Sequence, residues 1–106
     1  MIMKNEKIYI AGKISGERDY KVLFRAGVLR VLGYGFRAED VVNPVELCPE
    51  GWPWWRCMVR CLWALRGCSF VAMLPNWKES RGARIEHWVA KVMRKWIIYI
   101  KFNTNI

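Results

Sequence analysis

The segment NWKESRGARIEHW, residues 76–88, gathers Ser80, Arg81, Gly82, Arg84 and Glu86 at the start of an apparent helix. Serine is a good helix N-cap. Gly82 permits close approach of a ligand to the backbone. The free N–H groups of a first helical turn favour an anion. Arg81 and Arg84 add positive charge there, so this helix start reads as a phosphate or carboxylate site. Glu86 follows, about 100° from Ile85 on the helical wheel and so beside the core rather than opposite it. An acidic residue near a helix N-terminus is also simply stabilising, but that alone does not explain serine, glycine and arginine crowding the same turn. His87, the single histidine, points about 100° away from Glu86 on a helix. It is expected to pack or to face a neighbouring subunit.

A second loop, GKISGERD, follows the apolar run IYIA and carries Gly12, Ile14 and Gly16. It resembles a phosphate-binding turn but lacks both GxGxxG and a GK[ST] ending. A plain strand-to-helix turn is the competing reading. The four cysteines, 48, 57, 61 and 68, form no CxxC pair. The usual zinc-ligand spacing is absent, and Cys57 and Cys61, four apart on an expected helix, read as reduced, buried thiols rather than a disulfide pair. No metal and no cofactor is expected.

The elements that must position these loops alternate. Ile8–Ala11 reads as a buried strand, and Tyr20, Leu23, Phe24, Gly27, Val28 and Val31 as a helix ending at Gly33. Tyr34–Phe36 is the expected second strand. Val41 and Val42 lead into Asn43-Pro44, where the residue before proline is held extended. CPEGWPW is a loop, and Trp55–Leu65 a helix. Ser69–Leu74 is a third strand. Residues 80–95 form a helix whose stripe of Ile85, Trp88, Val89, Val92 and Met93 is expected to face the core. Trp96–Phe102 is the last strand, and the NTNI tail is expected to fray. This alternation predicts an α/β fold, Rossmann- or flavodoxin-like. It is a small parallel sheet of about four strands in the order 2-1-3-4, with helices on both faces. The first and third strands then lie side by side, and their loops meet at a switch point where ligands bind.

With 106 residues the chain is one domain, and its 54% apolar content supplies a core. A net charge of +9 favours anionic partners, or simply a solvated basic surface. No signal peptide and no membrane-length apolar run is visible, so a cytoplasmic protein without a membrane partner is expected. Nucleic acid as partner rests on charge alone and is not the favoured reading. Seven tryptophans are many for this length, and those of GWPWW suit an interface, a base-stacking wall or the core.

The strings IYIAG and ISG near the start, NPVEL at 43–47 and LPNWKESRGARIEH at 74–87 are similar to the DUF4406 family, within the nucleoside 2-deoxyribosyltransferase-like superfamily. The resemblance runs from about Ile8 to Tyr99. It implies cleavage or exchange of an N-glycosidic bond in a nucleoside or nucleoside 5′-monophosphate. By resemblance Glu86 is the nucleophile and Tyr9 the tyrosine beside it. Ser80 and Gly82 would hold a 5′-phosphate, while Gly12, Ile14 and Gly16 cradle the substrate. A homodimer or larger homo-oligomer is implied, because neighbouring chains often complete such pockets. The chain departs from the pattern at one place. The position of the usual acid aspartate is Cys61, and a second frequent acid is Ser69. Asp19, Asp40 and Glu46 are carboxylates that could substitute. Two readings therefore stand: an N-glycosidase or deoxyribosyltransferase, and a nucleotide-binding protein that senses or sequesters its ligand.

Overall fold

The computed structural model describes residues 6–14 and 16–102. Ser15 of the first loop and the NTNI tail lie outside the described residues. Four parallel strands form one sheet: β1 (Ile8–Ala11), β2 (Val41–Val42), β3 (Phe70–Met73) and β4 (Trp96–Tyr99), ordered β2-β1-β3-β4. The order is the one expected. Three helices connect them: α1 (Tyr20–Gly33), α2 (Trp54–Arg66) and α3 (Arg81–Val92). β1 and β3 pair along their whole length, from Ile8 opposite Phe70 to Ala11 opposite Met73.

Both central strands are apolar throughout because both of their faces are covered. Strand alternation then divides the side chains between two cores. Ile8, Ile10, Ala72 and Leu74 pack with Phe24 and Val31 of α1. Tyr9, Ala11, Val71 and Met73 pack with Cys61 and Leu65 of α2 and Ala90 of α3. Helix α1 therefore covers one face, while α2 and α3 share the other.

The second strand is not at Tyr34–Phe36. Those backbone groups are already engaged in ending α1: Tyr34 N–H donates to Val31 O, Gly35 N–H to Leu32 O and Phe36 N–H to Val31 O. Gly35 sits at φ 111°, a conformation foreign to a strand. Phe36 is buried and meets Phe70 edge-on, with ring centroids 5.1 Å apart. The strand forms later, at Val41–Val42, where Ile8 pairs with Val41 and Tyr9 with Val42.

The apolar stripe of α3 is also not where periodicity put it. The buried residues are Gly82, Ala83, Glu86 and Ala90. Trp88 and Val92 are 65% and 60% exposed, and Met93 lies beyond the helix. Small side chains let α3 sit close to the sheet, and the one large residue on that face is the glutamate. Of the expected stripe, Val89 alone packs against the core cluster on this side of the sheet.

Helix α1 approaches the sheet over Leu74, which is fully buried. A Cβ at Gly12 would lie 2.7 Å from Leu74 Cδ1 and 3.0 Å from Leu74 Cβ. A Cβ at Gly27 would lie 2.7 Å from Leu74 Cδ2. Gly12→Ala must therefore displace a side chain at its root, and should cost about 1–3 kcal/mol. Gly27→Ala meets only the far end of the leucine and gains helix propensity, so its cost should be smaller. Urea unfolding of the two variants should reproduce that order; equal midpoints would contradict the packing described.

Candidate functional site

Glu86 lies one turn into α3 on the face turned to the sheet, and is 5% exposed. Tyr9 rises from β1, the strand beneath, and its hydroxyl donates to Glu86 Oε2. The phenol is fully buried. Cys61 of α2 lies beside both, close enough that its thiol and the Tyr9 hydroxyl influence each other's ionisation. Three elements therefore converge on one carboxyl group, each held by the core on the α2/α3 side of the sheet.

Burial pushes the Glu86 carboxyl from 4.5 up to about 8, although the Tyr9 hydrogen bond acts the other way by favouring the carboxylate. Tyr9 is raised well above its ordinary value, first by burial and then by the Glu86 charge. The Cys61 thiol is raised by burial. Burial also raises Cys48, and the Cys57 and Cys61 thiols next to it add to the effect. Cys48 Sγ and Cys61 Sγ lie 3.7 Å apart; all four cysteines are free, Cys61 and Cys68 buried, Cys48 and Cys57 only half-buried, so the burial expected of Cys57 is incomplete. No group of three or more His, Cys, Asp or Glu among the described residues is arranged to hold a metal ion.

A cavity of about 290 Å³ opens above this pair, at the carboxyl ends of the strands. Glu86 and Cys61 reach its wall, and Tyr9 stands behind them. Gly12 and Ile14 of the first loop line one side, Ser80 and Gly82 of the α3 start another. The Cys48–Trp52 loop and Trp54 complete it. The loops after β1 and β3 do meet, and Asn76 joins them. Its Oδ1 accepts from Lys13 N–H at 3.2 Å and its Nδ2 donates to Glu17 Oε1 at 3.0 Å.

Ser80 caps α3, its Oγ accepting from Ala83 N–H at 3.1 Å. The hydroxyl hydrogen is left to donate elsewhere. Gly82 has a packing reason besides any ligand: a Cβ there would meet Met58 Sδ at 3.0 Å. Arg81 and Arg84 do not line the cavity. Arg81 stacks over Trp54 at 4.4 Å, and both arginines border a shallow outer depression with Ile85 and Trp88. Gly16, at φ 79°, does not line the cavity. His87 packs within the chain, stacked on Trp77 at 4.1 Å with Nε2 2.7 Å from Tyr99 Oη.

None of Asp19, Asp40 and Glu46 lines the cavity. Asp40 is instead bonded to Arg37 Nε at 3.1 Å. Ser69 precedes β3, at the opposite end of the sheet from the cavity. The second carboxylate on the wall is Glu50, exposed and 4.0 Å from Lys21 Nζ. Neither Glu50 nor Asn76 was singled out from sequence. The Pro- and Gly-rich CPEGWPW loop signalled irregular backbone there, but not its place in the cavity wall.

The family model described as a domain of unknown function, DUF4406, matches residues 6–99. The chain belongs to the DUF4406 family. No curated protein matches it. The match spans every strand and helix of the DUF4406 domain, together with the Glu86–Tyr9 pair and both loops above it.

The raised carboxyl makes stability depend on pH. Folded Glu86 keeps its proton to about pH 8, whereas the unfolded group releases it near 4.5. Between these values the native state binds more protons, so this contribution is complete at lower pH and is lost as pH rises through 8. Glu86→Gln should therefore gain stability relative to the unmutated protein by up to a few kcal/mol from about pH 5 to about pH 9. Parallel denaturant melts check this; a constant difference would mean that Glu86 is not desolvated. Tyr9→Phe strips the carboxyl of its partner and should cost about 1–3 kcal/mol.

Proposed function

We propose that this DUF4406 domain binds a nucleoside or nucleoside 5′-monophosphate and cleaves or exchanges its N-glycosidic bond, with Glu86 as nucleophile. The observation that carries this reading is a buried carboxyl, hydrogen-bonded to a buried phenol, at the wall of a cavity that also receives a helix N-terminus. The superfamily resemblance supplies the reaction class.

A Glu86 oxygen would form a bond to the anomeric carbon as the bond from that carbon to the base nitrogen breaks. The electron pair leaves with the base, which takes a proton from water in the cavity. Water or a second base then attacks the same carbon and releases the glutamate. Tyr9 holds the carboxyl in one orientation throughout. Ser80 and the first N–H groups of α3 would bind the phosphate, fixing the sugar for attack. Because Glu86 is raised to about 8, roughly one tenth of it is ionised at pH 7. Turnover should accordingly rise with pH toward that value.

A binding-only reading draws on the same site. Cys61 supplies a protonated thiol where the resemblance implies an aspartate, and a largely neutral Glu86 can donate a hydrogen bond to a ligand. Incubation with a panel of nucleosides and 5′-monophosphates, reading free base by chromatography, separates the two. Under the enzymatic reading the unmutated protein releases base and Glu86→Ala loses at least about a thousandfold. Thermal stabilisation by one of these ligands without base release would favour binding alone; neither signal would remove both. Ser80→Ala should weaken monophosphates by about tenfold or more, as expected for loss of a charge-assisted hydrogen bond, while leaving nucleosides nearly unchanged.

A further inference from the structure

Helices α2 and α3 turn large apolar side chains away from the sheet. On α2, Trp55, Val59 and Trp63 recur every four residues and are 64%, 62% and 67% exposed. On α3, Trp88 and Val92 are similarly exposed. The two helices pack together on one face of the sheet, so these residues belong to one outer layer. An apolar surface of this kind marks an interaction site.

The charges of that layer have one sign. Arg56, Arg60 and Arg66 lie on α2, and Arg81, Arg84 and Lys91 on α3. The sole acidic residue in either helix is Glu86, which is buried. Arginines also lie over indole rings: Arg56 on Trp52 at 4.2 Å, Arg66 on Trp63 at 5.2 Å and Arg81 on Trp54 at 4.4 Å. Apposing this face to a second copy of itself would bring cation against cation with no exposed carboxylate from either helix. The charge of these helices favours an anionic partner.

We propose that the outer face of α2 and α3 docks on the surface of an anionic phospholipid bilayer. Indoles favour the boundary between headgroups and acyl chains, arginines attract anionic headgroups, and the interleaved valines favour the acyl side. Single-stranded nucleic acid fits less well. It needs a groove with free aromatic faces, whereas these side chains project from helix surfaces and several indoles already carry a guanidinium. Attachment is peripheral, since no described helix is long and apolar enough to cross a membrane. Trp52 borders both this face and the cavity above Glu86, so docking places the cavity mouth near the headgroups.

The test is co-sedimentation with vesicles of phosphatidylcholine alone and of equimolar phosphatidylcholine and phosphatidylglycerol, with tryptophan emission recorded on the same samples. Binding should require the anionic lipid, shift emission to the blue and weaken at high salt. Arg56→Gln/Arg60→Gln/Arg66→Gln should lower partitioning by roughly a hundredfold, from about fivefold per basic residue. Trp55→Ser/Val59→Ser/Trp63→Ser should abolish the blue shift; these side chains are over 60% exposed, and circular dichroism verifies that the variants fold. Absence of sedimentation overturns the proposal, as does equal binding to neutral vesicles or binding that neither variant alters. So would an oligonucleotide that binds through the same residues without vesicle binding, or a dimer in light scattering that the tryptophan variant dissociates.

Discussion

A single hydrogen bond, from the Tyr9 hydroxyl to Glu86, allows a carboxyl group to stand inside the α2/α3 side of the core. A carboxyl taken out of water without a partner is costly, and a charged one far more so. Two features meet that cost together: the phenol supplies a donor, and the raised ionisation keeps the group largely neutral near pH 7. The remaining geometry follows from this placement. The helix carrying Glu86 must lie close to β1, so its other inward residues are glycine and alanine. No buried side-chain nitrogen or oxygen among the described residues lacks a partner, which extends the same rule to the rest of the core.

Charge is distributed unevenly around that point. The chain carries +9 in total, yet the wall of the cavity holds thiols, a neutral-leaning carboxyl and one exposed glutamate. Positive charge lies mostly outside. Arg81 and Arg84 illustrate the separation: they sit in the turn that closes the cavity, but their guanidinium groups belong to the outer surface. Within the cavity an anion would therefore meet backbone N–H groups and a serine hydroxyl rather than a direct ion pair.

Much of the framework was legible in sequence. Continuous apolar runs gave three of the four strands, and strand–helix alternation gave the parallel order, so the meeting of two distant loops followed from topology. The pairing of Tyr9 with Glu86 came from family resemblance, since 77 residues separate them. What escaped had physical causes. Two-residue β2 is too short to carry a periodic signal, and Phe36 looked like strand because aromatic burial and strand propensity use the same residue type. The α3 stripe pointed outward because the helix docks through alanines, and hydropathy gives small residues little weight. The role of Asn76 depends on two loops being brought together, which no local pattern reports.

The contact of Gly12 and Gly27 with Leu74 has a historical consequence. Three positions on three different segments, a loop, a helix and the end of a strand, share one volume. A descendant sequence cannot enlarge Gly12 without moving Leu74 at its root, and a smaller residue at 74 leaves a void until one glycine grows to fill it. Change at these sites is therefore ordered, with intermediates less stable than either end. Since Gly12 also borders the cavity, the shape of the ligand site is inherited together with the packing on the opposite side of the sheet.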